Sequence, residues 1–155
     1  MNFGVVAIVG TGLIGGSIGL GLKERGLASS IIGVGYRKAS INKALKINAI
    51  DEGTLKVEEA VKQADIIILA TSVSLIPDYA KKIIPLMKKS AILTDVGSTK
   101  GFIVSQVNDE IKTKRGGGKT NFIGAHPLAG SEKRGIDSAR SDLFEGSVCV
   151  LTPTS

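Results

Sequence analysis

Residues 5–15 read Val5-Val-Ala-Ile-Val-Gly-Thr-Gly-Leu-Ile-Gly15, an aliphatic run followed at once by glycines in the pattern Gly-x-Gly-x-x-Gly. A continuous aliphatic run is typical of a strand that is buried on both faces of a parallel sheet. We predict a glycine turn after this strand and then a helix from about Leu13 to Arg25, which Gly26 ends as a C-cap. A strand, a tight turn and a helix in this order open an α/β fold.

The rest of the chain repeats this alternation of strand and helix. Further strands are predicted at 30–35, 65–70, 91–95, 122–125 and 147–151, and residues 49–56 are ambiguous, with a short strand and a turn at 52–53. Helices are predicted at 40–47, with Ser40 as a candidate N-cap, and at 57–63, 75–87 and 101–111. The sheet should therefore be mostly parallel, doubly wound, with helices on both faces and right-handed crossovers, in one domain over 1–155.

The three glycines of the first turn predict a dinucleotide site in a Rossmann-type fold. Gly10 permits the tight turn, Gly12 lets the backbone approach a pyrophosphate, and Gly15 allows close packing of helix on strand. The free N–H groups at the helix start favour phosphate. The alternative is that the glycines only turn the chain. The candidate cofactor residues of this turn are Gly10, Thr11, Gly12, Leu13, Ile14 and Gly15.

The end of the second strand favours NADP over NAD. NAD enzymes usually place an acid there, about 20 residues beyond the glycines, to bind the ribose hydroxyls. Residues 33–40 read Gly-Val-Gly-Tyr-Arg-Lys-Ala-Ser and contain no acid. A guanidinium and hydroxyls suit a 2′-phosphate, so we assign Tyr36, Arg37, Lys38 and Ser40 to the cofactor. The alternative is that Arg37 and Lys38 are surface charges.

Small hydroxyl residues follow two further strands. Thr71 and Ser72 come after the strand at 65–70, and Ser98 comes after the strand at 91–95. Ligands of open parallel sheets bind outside the carboxyl ends of the strands. We expect Thr71 and Ser72 to line the cofactor cleft and Ser98 to face the substrate, although such residues are often only turn formers or N-caps.

His126 is the only histidine of the chain and lies in the segment Gly124-Ala-His-Pro-Leu-Ala-Gly-Ser-Glu132. We expect it just past the end of the strand at 122–125. A neutral imidazole there could act as a general base near neutral pH. A structural loop histidine is the alternative.

Composition narrows the function classes. The net charge of +6 suits anionic small molecules, while no basic helix, aromatic array or known motif indicates nucleic acid. The chain has a single cysteine, Cys149, so it cannot form an internal disulfide, and we expect this cysteine in a buried strand. One cysteine and one histidine are too few for a Cys/His zinc site, so we expect no metal. The uncharged stretch 3–22 is too rich in glycine for a membrane helix and lacks the basic start of a signal peptide. We expect a cytoplasmic protein.

Together the motifs resemble the prephenate dehydrogenase family, which includes arogenate dehydrogenases. The matching segments run in order along nearly the whole chain and are Gly10-Thr-Gly-Leu-Ile-Gly-Gly-Ser17, Ile50-Asp-Glu-Gly53, Thr94-Asp-Val-Gly-Ser-Thr-Lys100, the 124–132 segment, Leu143-Phe-Glu-Gly146 and Leu151-Thr-Pro153. The 124–132 segment is the most specific of these.

The resemblance implies NAD(P)-dependent oxidative decarboxylation of prephenate to 4-hydroxyphenylpyruvate in tyrosine biosynthesis, or of arogenate to tyrosine. It makes His126 the catalytic base on the substrate hydroxyl and Ser98 the residue that orients the imidazole and touches the hydroxyl. Ser131 and Glu132 match the loop that borders the substrate, where Glu132 could hold a substrate-binding arginine or gate access.

The family also has a helical second domain that supplies a substrate-binding arginine and most of a homodimer interface. We expect these 155 residues to be the cofactor half, which binds dinucleotide but turns over prephenate poorly alone. Two alternatives stay open: a related reductase, such as a β-hydroxyacid dehydrogenase or pyrroline-carboxylate reductase, and a non-catalytic nucleotide-sensing module.

Overall fold

The computed structural model describes residues 2–114, 121–130 and 132–153, and strands and helices alternate along them. The strands are β1 (Val5–Val9), β2 (Ser30–Val34), β3 (Glu52–Thr54), β4 (Ile66–Leu69), β5 (Ile92–Asp95), β6 (Asn121–Pro127) and β7 (Cys149–Pro153). The helices are α1 (Leu13–Glu24), α2 (Lys38–Lys46), α3 (Val57–Val61), α4 (Ile76–Ile83) and α5 (Lys100–Lys114). Short 3₁₀ turns lie at Val73–Leu75 and Ile136–Ser138.

All seven strands form one sheet in the order β3-β2-β1-β4-β5-β6-β7. The pairs from β3 to β6 are parallel, and β7 runs antiparallel to β6 at the edge. The direction of winding reverses between β1 and β4, where a parallel sheet opens a crevice at the carboxyl ends of its strands. The predicted doubly wound, mostly parallel sheet is confirmed.

Each face of the sheet carries its own apolar layer. Alternate residues of β1 point to opposite faces: Ala7 and Val9 join a cluster with α3, α4 and α5, whereas Val6 and Ile8 join a cluster that includes Ile136. The period of two in a strand produces this division. Helices therefore cover both faces, as predicted.

Two expectations about local structure are wrong. Helix α2 begins at Lys38 after Arg37 as N-cap, and the Ser40 hydroxyl donates to the Arg37 carbonyl at 2.8 Å instead of capping the helix. Cys149 is exposed, not buried, because β7 is an edge strand. An apolar run predicts a strand, but it does not show whether that strand is central or at the edge.

Strand β6 is longer than predicted. It continues to Pro127 because β7 pairs with its second half, and His126 stands opposite Val150. His126 therefore lies inside the strand near its end, not just past it. Within the described residues no helix is long and apolar enough to cross a membrane, and the uncharged stretch 3–22 divides into β1 and α1.

Candidate functional site

Two positions at the junction of β1 and α1 require glycine, Gly10 for its backbone angle and both Gly10 and Gly15 for lack of space. Gly10 has a φ of +105°, and a Cβ on it would lie 2.6 Å from the carbonyl oxygen of Ala70. A Cβ on Gly15 would lie 2.0 Å from the carbonyl oxygen of Gly10, which fixes the close packing of α1 on the turn. The predicted roles of these two glycines in turning and packing agree with this geometry.

Gly12 differs from its two neighbours in the motif. It is the N-cap of α1, with φ −92°, and a Cβ on it would meet nothing within 4 Å. The fold does not need a glycine here for packing. The missing side chain leaves open space in front of the first N–H groups of α1, where a phosphate group can approach the backbone.

Thr11 supplies a second sign of a ligand site. The residue is only 5% exposed, and its hydroxyl has no hydrogen-bond partner within the described part of the chain. Buried polar groups are nearly always hydrogen-bonded. Thr11 also lines the cavity next to this turn, and a polar atom of a bound dinucleotide would supply the missing partner.

A cavity of about 610 Å³ extends from this turn to the carboxyl end of β2. Among its lining residues are Gly10, Thr11, Gly12, Tyr36, Arg37, Ser40, Lys43, Thr71, Ser72, Ile136 and Asp137. A smaller cavity of about 340 Å³ adjoins it and is lined by Leu13, Ile14, Gly130, Lys133 and Arg134 together with Gly12, Thr71, Ser72 and Gly135. The two cavities meet in front of the start of α1, as a bound dinucleotide requires.

The structure brings most of the predicted cofactor residues to these two cavities. Tyr36, Arg37 and Ser40 lie at the far end of the larger cavity, whereas Lys38 is exposed and is not part of its wall. The Arg37 guanidinium stacks over the Tyr36 ring, 4.5 Å from its centroid, and donates to the Tyr36 hydroxyl. The order of the sheet at β1 and β4 explains why Thr71 and Ser72, which follow β4, face Gly12.

Two charged residues of the larger cavity, Lys43 and Asp137, were not predicted from the sequence. Lys43 lies one turn further along α2, and Asp137 comes from the 3₁₀ turn at Ile136–Ser138. Lys43 could have been found, because residues three or four apart share a helix face with Ser40. No local signal points to Asp137, because it is 94 residues from Lys43 in sequence.

Ser98 and His126 both lie at the carboxyl ends of neighbouring strands, β5 and β6. Asp95 of β5 pairs with Gly124 of β6, Ser98 follows Asp95 by three positions, and His126 follows Gly124 by two. The hydroxyl of Thr94 also donates to the carbonyl of Ile123 at 2.7 Å, which ties the two strands together. Ser98 and His126 make no side-chain hydrogen bond to each other among the described contacts.

A buried ion pair shapes the loop that carries Ser98. Asp95 is fully buried, and its Oδ2 accepts from the Gly97 N–H at 2.9 Å and from the Lys100 ammonium. Lys100 is 12% exposed in its side chain. A charge so deeply buried needs a partner, so the pair holds the start of α5 and the loop before it in one arrangement.

The segment between β6 and β7 crosses over α1. The Arg140 N–H donates to the hydroxyl of the buried Ser17 at 3.0 Å, and Ile136 packs where a Cβ on Gly16 would come within 2.4 Å of its side chain. Glu132 is exposed at the start of this segment. Ser131 lies outside the described residues, and the described residues hold no group of three or more His, Cys, Asp or Glu side chains placed to bind a metal.

The glycine turn, the open space at Gly12, the buried Thr11 hydroxyl and a cleft at the reversal of strand order define a dinucleotide-binding domain of the Rossmann type. Comparison with known proteins identifies the family. Residues 18–155 match the family described as prephenate dehydrogenase, nucleotide-binding domain. The chain belongs to this family, and its ligand is a dinucleotide cofactor.

Named relatives agree with this assignment. A prephenate dehydrogenase of Lactococcus lactis is 40% identical over 97% of this chain and 41% of its own length. The structure of prephenate dehydrogenase from A. aeolicus in complex with hydroxyphenyl propionate and NAD+ is similar with a TM-score of 0.87 and 34% identity, over 100% of this chain and 52% of that one. The structure of a Synechocystis arogenate dehydrogenase is similar with a TM-score of 0.86 and 35% identity, over 97% of this chain and 50% of that one. The chain thus spans about two fifths of the curated relative and half of the solved ones.

Proposed function

We propose that this chain is the cofactor-binding part of an enzyme that oxidatively decarboxylates prephenate to 4-hydroxyphenylpyruvate. The observation that carries the proposal is that His126 and Ser98 both lie at the carboxyl end of the sheet, beyond the paired residues Asp95 and Gly124, in a chain of this family. Both residues lie at the carboxyl ends of strands, where such sheets bind their substrates. Arogenate is the second candidate substrate, and the similarity to an arogenate dehydrogenase supports it.

Different residues of the cleft would bind different parts of the cofactor. The N–H groups at the start of α1 and the Thr11 hydroxyl would hold the diphosphate, and Thr71 and Ser72 would face the nicotinamide half. When bound, the nicotinamide ring supplies an acceptor for the hydride that leaves the substrate carbinol carbon. In the proposed complex that carbon would lie between the glycine turn and the carboxyl ends of β5 and β6.

His126 would act as general base. Its neutral imidazole accepts the proton of the substrate hydroxyl as the carbinol carbon is oxidised, and Ser98 orients the ring and donates to the same oxygen. Loss of carbon dioxide then makes the six-membered ring aromatic, which drives the reaction forward. Ser131 and Glu132 would border the substrate at the mouth of the site.

We infer a preference for NADP over NAD. No acid follows β2 in the sequence, and the cavity wall at this point carries the Arg37 guanidinium and the Ser40 hydroxyl. A 2′-phosphate has several acceptor oxygens that suit the guanidinium. The Ser40 hydroxyl would turn from the Arg37 carbonyl to donate to the phosphate as well. The relative from A. aeolicus was crystallised with NAD+, so the two cofactors have to be compared directly.

The wider setting is also part of the proposal. The partner of the chain is a small anionic substrate, which agrees with the net charge of +6. We infer a cytoplasmic enzyme that binds neither nucleic acid nor membrane, and a homodimer in the full-length protein.

Turnover by the full gene product tests the activity. We expect prephenate-dependent reduction of NADP, followed by absorbance, and a fall on the order of a hundredfold in kcat for His126→Asn. Asp142→Asn, an exposed change beyond the cavity walls, is the control. Unchanged kinetics in His126→Asn would exclude the base role. Faster turnover of arogenate would favour that substrate, and nucleotide binding without turnover of either would favour a sensing module.

Titration with NADPH and NADH, followed by nucleotide fluorescence, tests the cofactor. We expect tighter binding of NADPH and a selective loss of that advantage in Arg37→Ala. Lys46→Ala is the matched control, because Lys46 is an exposed residue at the other end of α2 that does not line the cavity. Equal or tighter binding of NADH would refute the preference.

A further inference from the structure

The larger cavity contains a carboxylate near the end of β2, where the only charged residues predicted from the sequence are cations. Asp137 lines this cavity together with Arg37, Ser40 and Lys43. In related folds an acid that contacts the adenosine ribose follows β2 directly. Here the acid reaches the same region from the segment between β6 and β7, on the other side of the cleft.

Asp137 is held in place by its neighbour rather than by its own charge. Ile136 is 5% exposed and belongs to the apolar cluster of that sheet face. Asp137 itself is well exposed, and its Oδ2 lies 2.5 Å from the Lys43 ammonium; the two side chains are 68% and 54% exposed. Exposed ion pairs contribute little to stability, so Lys43 and Asp137 can exchange partners without loss of the fold.

The two charges act in opposite directions on the two nicotinamide cofactors. A 2′-phosphate carries about two negative charges near neutral pH, so the Lys43 ammonium attracts it and the Asp137 carboxylate repels it. An unphosphorylated ribose offers a 2′-hydroxyl, which can donate to a carboxylate. A single exposed pair therefore contains one group suited to each cofactor.

We propose that Asp137 and Lys43 set the ratio of NADP to NAD affinity, with Asp137 favouring the unphosphorylated ribose and Lys43 favouring the 2′-phosphate. This inference rests on the proposed binding of the adenosine ribose at the far end of the larger cavity. It makes cofactor preference a balance between two distant parts of the chain. Arg37 alone does not decide it.

The test is a fluorescence titration of the whole protein with NADPH and NADH at low salt. Asp137→Asn should raise the ratio of NADPH to NADH affinity about three- to tenfold, because it removes a like charge near the phosphate. Lys43→Gln should lower the ratio by a similar factor. The controls are Asp142→Asn and Lys46→Gln, which remove one charge of each sign outside the cavity and should leave the ratio within about twofold.

The outcomes separate this inference from the proposed function. If both nucleotides bind and neither Asp137→Asn nor Lys43→Gln moves the ratio, the inference is wrong and the cofactor site stands. An equal loss of both affinities in Asp137→Asn would make Asp137 only a structural wall, and would also overturn it. If the unaltered protein binds neither nucleotide, the cofactor site itself fails. The expected shifts should shrink as salt is added, since exposed charges are screened.

Discussion

Two glycines of the same turn should respond in opposite ways to the same added methyl group. In Gly15→Ala the new Cβ would lie 2.0 Å from the Gly10 carbonyl oxygen, whereas Cβ atoms essentially never come under 3.0 Å of such an atom. The helix and the turn must therefore move apart by about 1 Å, in a region packed as densely as a crystal. In Gly12→Ala the Cβ meets nothing within 4 Å.

The magnitude for Gly15→Ala combines two effects. Overpacking of a dense core costs about 3 kcal/mol at the upper end of its usual range, and exchange of glycine for alanine inside a helix returns about 1 kcal/mol. The net loss of unfolding free energy is about 2 kcal/mol, which corresponds to a fall in Tm of about 4–8 °C for a chain of this size. Gly12→Ala should change the unfolding free energy by less than about 0.5 kcal/mol.

Gly12→Ala, which should hardly change the stability, should weaken nucleotide binding. The Cβ of Gly12→Ala occupies the space in front of α1, and we expect at least about a tenfold loss of nucleotide affinity, or about 1.4 kcal/mol. Urea unfolding by circular dichroism and titration with NADPH and NADH measure the two quantities on each variant. An unchanged unfolding free energy in Gly15→Ala, or an unaltered affinity in a folded Gly12→Ala, would refute the reasoning.

Three further predictions concern the frame around the site. The Lys88 ammonium holds the pKa of Asp65 below its usual range, so the Asp65 carboxylate stabilises the fold above the unfolded pKa. The stability deficit of Asp65→Asn should be complete at pH 7, begin to shrink below about pH 4 and disappear only once the pH has fallen through the lowered pKa, as acid unfolding curves would show. Exposed Cys149 should react with one equivalent of a thiol reagent in the native protein, and protection until unfolding would contradict the edge position. Ser17→Ala leaves the Arg140 N–H without its partner and should lower the unfolding free energy by about 1–2 kcal/mol in urea.

The opening unit of the fold was predictable because its determinants are local. The aliphatic run of β1 and the glycines after it constrain the backbone within a few residues of themselves, and the predicted strand bounds agree with Val5–Val9. The alternation of elements then leaves little choice of topology, since parallel strands need crossovers of one hand.

The features that were missed depend on contacts between distant parts of the chain. The extension of β6 over His126 comes from pairing with β7. The exposure of Cys149 depends on the place of β7 in the sheet order, which no run of residues encodes. The carboxylate in the cofactor cavity reaches Lys43 across 94 residues, and only the fold brings the two together.

The sheet order also has a consequence for how the chain folds. Strand β1 is made first, yet it lies in the interior of the sheet between β2 and β4. The N–H of Val5 bonds to the Asp65 carboxylate across 60 residues, and closing a flexible loop of that length costs about 4 kcal/mol in chain entropy. The order of synthesis is therefore not the order of assembly: β1 stays without its partner β4 until about sixty residues have followed it. We expect this late central pairing to limit the refolding rate, as it does in folds rich in distant contacts.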